Sequence, residues 1–104
     1  MNKLTLPDIS AKSDVRVSYN INGREFMFHF KWCESFCTVD IYFIENNVNN
    51  YLVQGFPLTL GTNLIARCGD LLSGVLIFCS KYGKSVEPAQ DNFHTDYYFL
   101  YLEE

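Results

Sequence analysis

Alternating apolar residues on both sides of one Asn-Gly dipeptide constrain this chain more than any other feature. Val15, Val17, Tyr19 and Ile21 alternate with polar neighbours, Asn22-Gly23 follows, and Phe26, Phe28, Phe30 and Trp32 resume the alternation. A two-residue Asn-Gly loop favours a type I′ turn, because both central positions need φ > 0 and these residues tolerate it. Such a turn sets the register: Tyr19 faces Phe26, Val17 faces Phe28 and Val15 faces Phe30. Strand side chains repeat every two residues, so all of these fall on one face. The expectation is an aromatic-faced hairpin over roughly residues 14–32.

The rest of the chain reads as more strands with short connections. Residues 1–13 offer Leu4, Leu6 and Ile9 to an edge strand, and Pro7 confines any ladder there to an edge. Cys33-Glu34-Ser35 is a short connection into a strand from about Phe36 to Ile44. That strand carries Cys37, Val39, Ile41 and Phe43 on one face and Thr38, Asp40, Tyr42 and Ile44 on the other. Both faces are partly apolar, which predicts a central strand with a second layer or a partner behind it. Glu45 to Asn50 reads as a turn from its asparagines, and Tyr51 to Phe56 as a strand ended by Pro57. A turn at Gly61 precedes a stretch, 63–69, whose apolar spacing is compatible with one or two helical turns, with Thr62 or Asn63 to cap it. Gly74 opens a strand from Val75 to Ser80. Lys81 to Asp96 is polar and irregular, and Tyr97 to Leu102 closes the chain as a strand. Seven strand-like runs predict an all-β fold, a small partly closed β-barrel or sandwich with one short helical turn.

Composition bounds the function. At 104 residues, the chain reads as a single domain over 1–104, long enough to bury about two-thirds of its unfolded surface. Apolar residues make up 48% and aromatic residues 16%, which excludes a disordered chain. With 12 acidic residues against 8 basic ones, the formal net charge is −4. Nucleic-acid binding draws on clustered cations that displace counterions. The basic residues here are scattered, so neither direct nucleic-acid contact nor a polybasic membrane surface is expected. The first twelve residues lack the apolar core of a signal peptide, and the longest apolar run, Tyr97 to Leu102, falls far below the ~20 residues of a membrane span. Cytoplasmic synthesis is the expectation. Cys33, Cys37, Cys68 and Cys79 form no CxxC, and are read as reduced, packed thiols rather than zinc ligands. No cofactor is expected.

Phe30-Lys31-Trp32 ends an aromatic strand, Val39-Asp40-Ile41-Tyr42 follows as an acidic-aromatic one, and Gly55 to Leu58, Gly61 to Leu64, Leu72 to Ile77 and Glu87 to Phe93 come after in that order. From Trp32 onward, this order of features resembles the small baseplate plug proteins of contractile-tailed phages, of the minimal cyanophage type. Gly55-Phe56-Pro57-Leu58 leading to Gly61-Thr62-Asn63-Leu64 is similar to the family's glycine, apolar, proline, leucine segment and its glycine-x-aspartate/asparagine-leucine continuation. Leu72-Ser73-Gly74-Val75-Leu76-Ile77 resembles the next strand. Glu87 to Phe93 stands where members carry a proline-x-x-aspartate loop before a tyrosine-rich closing strand. Members often have a glycine soon after that loop, whereas His94-Thr95 stands here. The resemblance implies a non-enzymatic structural protein of the virion tail, made in the host bacterial cytoplasm. Its partners would be other tail proteins (hub, tube or spike), with several copies in a symmetric assembly.

Candidate contact residues follow from pattern and resemblance together. Tyr97, Tyr98 and Tyr101 lie on a closing strand that is apolar on both faces, so it is covered inside the fold or lies in a subunit contact. The other candidates are the Asn46–Asn50 loop, with Asn47 and Asn49, and the Glu87–Phe93 loop, with Pro88, Asp91 and Phe93. Asp91, His94 and Asp96 are the one acid-histidine group at short spacing; with no nucleophile signature nearby they read as a solvated loop. His29 alternates with Phe28 and Phe30 and is expected on the outer face of the hairpin, as a surface or interface residue rather than a ligand. The alternative to a structural plug is a small binding module for glycan or single-stranded nucleic acid, using Trp32 and the tyrosines as stacking platforms.

Overall fold

The structure, a computed structural model, describes residues 2–10, 14–21, 23–34, 36–61, 63–64, 74–81, 87–90 and 92–102. Seven strands are seen among them: β1 (Asn2–Thr5), β2 (Asp14–Ile21), β3 (Arg24–Cys33), β4 (Phe36–Glu45), β5 (Val48–Pro57), β6 (Val75–Ser80) and β7 (Tyr97–Leu102). One short helix, α1 (Phe93–Asp96), precedes β7. The strands form two antiparallel sheets, one of three strands in the order β1-β7-β6 and one of four in the order β2-β3-β4-β5. The all-β expectation holds. Among the described residues the two sheets keep separate edges, and no closed barrel forms.

The hairpin register is the one that Asn22-Gly23 predicts: Tyr19 pairs with Phe26, Val17 with Phe28 and Val15 with Phe30. Gly23 takes φ +84°, a conformation that glycine adopts without steric cost. Asn22 itself lies outside the described residues. At the β4–β5 turn the asparagine-rich stretch is shorter than its composition suggests. Only Asn46 and Asn47 turn, both left-handed at φ 54° and 61°, and Val48 to Asn50 already belong to β5. Two adjacent residues with positive φ make the same kind of tight hairpin as Asn-Gly.

The faces of β4 fall as its alternation predicts. Cys37, Val39, Ile41 and Phe43 are buried inward, while Ile44 on the other face is exposed. Aromatic rings carry the contact between the sheets. Phe99 of β7 lies 5.6 Å from Phe28 and 6.1 Å from Phe30, and Phe28 meets Tyr19 edge-on at 4.9 Å. Each such pair adds about 0.5–1.5 kcal/mol beyond the area it buries.

The expected helical stretch at 63–69 is described only at its start. Asn63 bridges to Ile77 and accepts the Leu76 N–H on its side-chain oxygen at 3.0 Å, so it extends the edge of β6. Residues 65–69, Cys68 included, lie outside the described set. The helical turn that is described stands at Phe93–Asp96, within a stretch whose composition reads as irregular. Its periodicity is too short to detect: a single turn buries only Phe93.

Candidate partner-binding site

The four-stranded sheet has two ends, and the expected contact segments divide between them. At the end bearing the β3–β4 turn, the chain leaves β5 and crosses to the other sheet. Leu58 N–H donates to the Cys37 carbonyl at 2.9 Å, and Gly61 N–H to the Phe78 carbonyl at 2.9 Å. The Glu87 carboxylate accepts the Leu60 N–H through both oxygens, at 3.0 and 3.3 Å. The glycine-apolar-proline-leucine segment and the loop after Glu87 therefore meet, although nearly thirty residues separate them. Phe36, Cys37, Pro57, Leu58, Thr59, Glu87 and Pro88 line a depression of about 140 Å³ there.

The predicted contact residues do not gather in one place. Pro88 is buried, and Phe93 is fully buried, its ring 5.7 Å from Phe30 and 5.9 Å from Phe78. Tyr97 and Tyr101 point inward and are 1% and 2% exposed. Tyr98 lies half-buried on the opposite face of β7, with Lys3 Nζ 4.5 Å from its ring centre. Asn47 and Asn49 are exposed at the far end of the molecule. Asp91 lies outside the described residues.

The outer face of the three-stranded sheet is the more continuous surface. Register places Cys79 opposite Tyr98, Ile77 opposite Leu100 and Val75 opposite Leu102. All six are half-buried. Burial raises the Cys79 thiol above its ordinary pKa, and raises the inward-facing Cys37 to about 12, which makes Cys37 an unreactive packed thiol. Cys33 is exposed at the end of β3.

His29 lies on the outer face of the four-stranded sheet, as its alternation predicts, but it is buried rather than at the surface. Its Nε2 bonds to Asp14, and its Nδ1 stands 3.8 Å from Asp40. Asp40 also pairs with Lys31 Nζ at 3.0 Å and accepts the Gly55 N–H at 2.6 Å. That last bond depends on an irregular β5. Register slips twice between Val39 and Tyr42, and Gly55 takes φ +63°, so β5 bulges and turns an amide toward the carboxylate. Burial pushes the Asp40 pKa up, yet the Gly55 amide and Lys31 outweigh it and hold the carboxyl below its ordinary range. The hydrogen bond from His29 likewise lowers Asp14. His94 Nδ1 faces Asp8 at 3.5 Å, an acid from the segment after β1. Trp32 is half-buried, packs partly against the core and donates its ring N–H to the Glu34 carbonyl at 3.1 Å.

Four large apolar residues are left at the surface: Val48, within the expected Asn46–Asn50 contact segment, and Phe36, Ile44 and Tyr51, which sequence reasoning did not single out, the last in ring contact with Tyr42 at 4.9 Å. Alternation assigned Ile44 its face without showing that none of the described residues would cover it. Two antiparallel sheets around an aromatic interior, with apolar side chains left outside, make this a small all-β protein with contact surface to offer. The chain belongs to the family described as cyanophage baseplate Pam3 plug gp18, whose family model matches residues 1–104. That family is a structural component of the phage tail baseplate. No curated protein matches the chain.

Proposed function

We propose that this chain is a non-enzymatic plug that docks on the central hub or the tail-tube tip of a contractile-tail baseplate, through apolar and tyrosine-bearing surface. Family membership supports the baseplate role. One observation carries the docking mode: Val75, Ile77, Tyr98, Leu100 and Leu102 stand side by side on the outer face of the three-stranded sheet. A contiguous apolar face of this kind is contact area, and an aromatic side chain among aliphatic ones is a common anchor. The chain acts as one domain, its two sheets packed face to face as a sandwich. It is made in the host cytoplasm and carried in the virion tail. Several copies around the tail axis would each present the same patch.

Tails purified from a phage lacking this gene provide the test. Added wild-type protein should co-sediment with them. Tyr98→Ser, with an unchanged thermal unfolding midpoint, should co-sediment at least about tenfold less. Equal co-sedimentation of the two proteins would refute this docking face.

A further inference from the structure

The pairing of β3 with β4 ends at Met27 and Tyr42, although each strand runs on for three more residues. Both outer ladders continue to the hairpin tips, to Ile21–Arg24 on one side and Glu45–Val48 on the other. The two hairpins therefore part at their tips. The register would next bring Phe26 opposite Phe43 and Glu25 opposite Ile44, and neither pair is formed. Instead the Phe26 and Phe43 rings meet edge-on at 6.2 Å. A depression of about 170 Å³ opens where the strands separate, lined by Glu25, Met27, Phe43 and Ile44. A shallower mouth extends from it past Gly23, Arg24 and Glu45.

Its chemistry is specific. Met27, Phe43 and Ile44 supply an apolar lining, and Ile44 is 59% exposed. Glu25 and Glu45 stand exposed on the rim, and neither has an ion-pair partner among the described residues. The nearby Arg24 lies with its guanidinium 4.7 Å over the Phe43 ring and keeps its charge at the same mouth, so two carboxylates stand there against one cation. The rim is thus acidic around an apolar seat, and the strands beside it carry backbone that no ladder uses.

We propose that the opening between the hairpin tips seats an apolar side chain of a partner baseplate protein, carried on a segment with lysine or arginine beside it. The seat has room for a group about the size of benzene. The flanking cations answer Glu25 and Glu45, which favours the correct partner and speeds its approach more than it tightens the complex. This inference rests on the docking function proposed above and adds a second surface, at the opposite end of β4 from the loop after Glu87.

The test uses the full chain and tails from a phage lacking the gene. Four proteins are compared: wild type, Ile44→Asp, the double variant Glu25→Lys with Glu45→Lys, and Tyr98→Ser. Thermal unfolding first establishes that all four are folded. The expected result is a loss of co-sedimentation of about tenfold or more for Ile44→Asp. A several-fold loss that shrinks as salt is raised is expected for the charge-reversed protein. Wild-type co-sedimentation of Ile44→Asp, alongside loss for Tyr98→Ser, overturns the seat and leaves the docking function standing. Failure of wild-type protein to co-sediment overturns both. Loss for Ile44→Asp with none on charge reversal overturns the basic partner. A self-association of the isolated wild-type chain that Ile44→Asp abolishes makes a second copy the occupant and overturns the proposal.

Discussion

The two ends of the four-stranded sheet are built from the same strands, yet one is closed and the other open. At the β3–β4 turn, a crossing segment ties the sheets together, a carboxylate holds its backbone, and Phe93 fills the space beneath the loop. At the other end, two tight turns finish their hairpins locally and the strands between them separate. A tight turn satisfies its own backbone and asks nothing of the rest of the fold. A long connection must be packed, because buried loop backbone needs partners. The closed end consequently holds stability, and the open end holds surface.

That contrast can be broken by substitution. Phe93→Ala should cost about 3–5 kcal/mol in urea unfolding, the range for removing a fully buried ring. A loss below about 1 kcal/mol would show that the closed end is not the stable one. Asp40→Ala, midway along β4, should cost about 1–3 kcal/mol by stranding the Gly55 amide. The same carboxylate sets a pH dependence. Its folded pKa lies below its unfolded value, so its contribution is present above the unfolded value near 3.8 and is lost as pH falls through the folded one. Asp40→Asn should therefore flatten the fall of the urea midpoint below about pH 4, while Asp8 and Asp14, also lowered, keep part of the slope. Glu87→Ala should cost about 0.5–1.5 kcal/mol by releasing the Leu60 amide. Ile44→Ser, at the open end, should change stability by no more than about 0.5 kcal/mol. Equal effects for Phe93→Ala and Ile44→Ser would erase the distinction between the two ends.

Much of the fold was readable along the chain, and the reasons are local. Val75–Ser80 and Tyr97–Leu102 are strands over the predicted residues, since continuous apolar runs bounded by breakers have few other ways to fold. Asn46-Asn47 hid its turn inside a longer polar stretch: composition marked the loop but not which two residues bend. His29 was assigned the right face and the wrong exposure, because its cover comes from Asp14 and Asp40 on neighbouring strands. The candidate contact residues were less legible. Tyr97, Tyr98 and Tyr101 share one apolar run, and only the position of the four-stranded sheet shows which two it buries. The bulge at Gly55 was invisible, as a glycine in a strand pattern marks a bulge, a bend or a close approach equally well.

Alternation and turn chemistry act within a few residues, and from them alone came the aromatic hairpin, its register, and the face on which each side chain of β2, β3 and β4 lies. The joining of β1 to β7, the division into two sheets rather than a barrel, and the parting of the hairpin tips came only with the tertiary structure. A period of two says which way a side chain points. It is silent about which distant strand lies alongside, because that choice depends on how the whole set of aromatic faces can be buried at once.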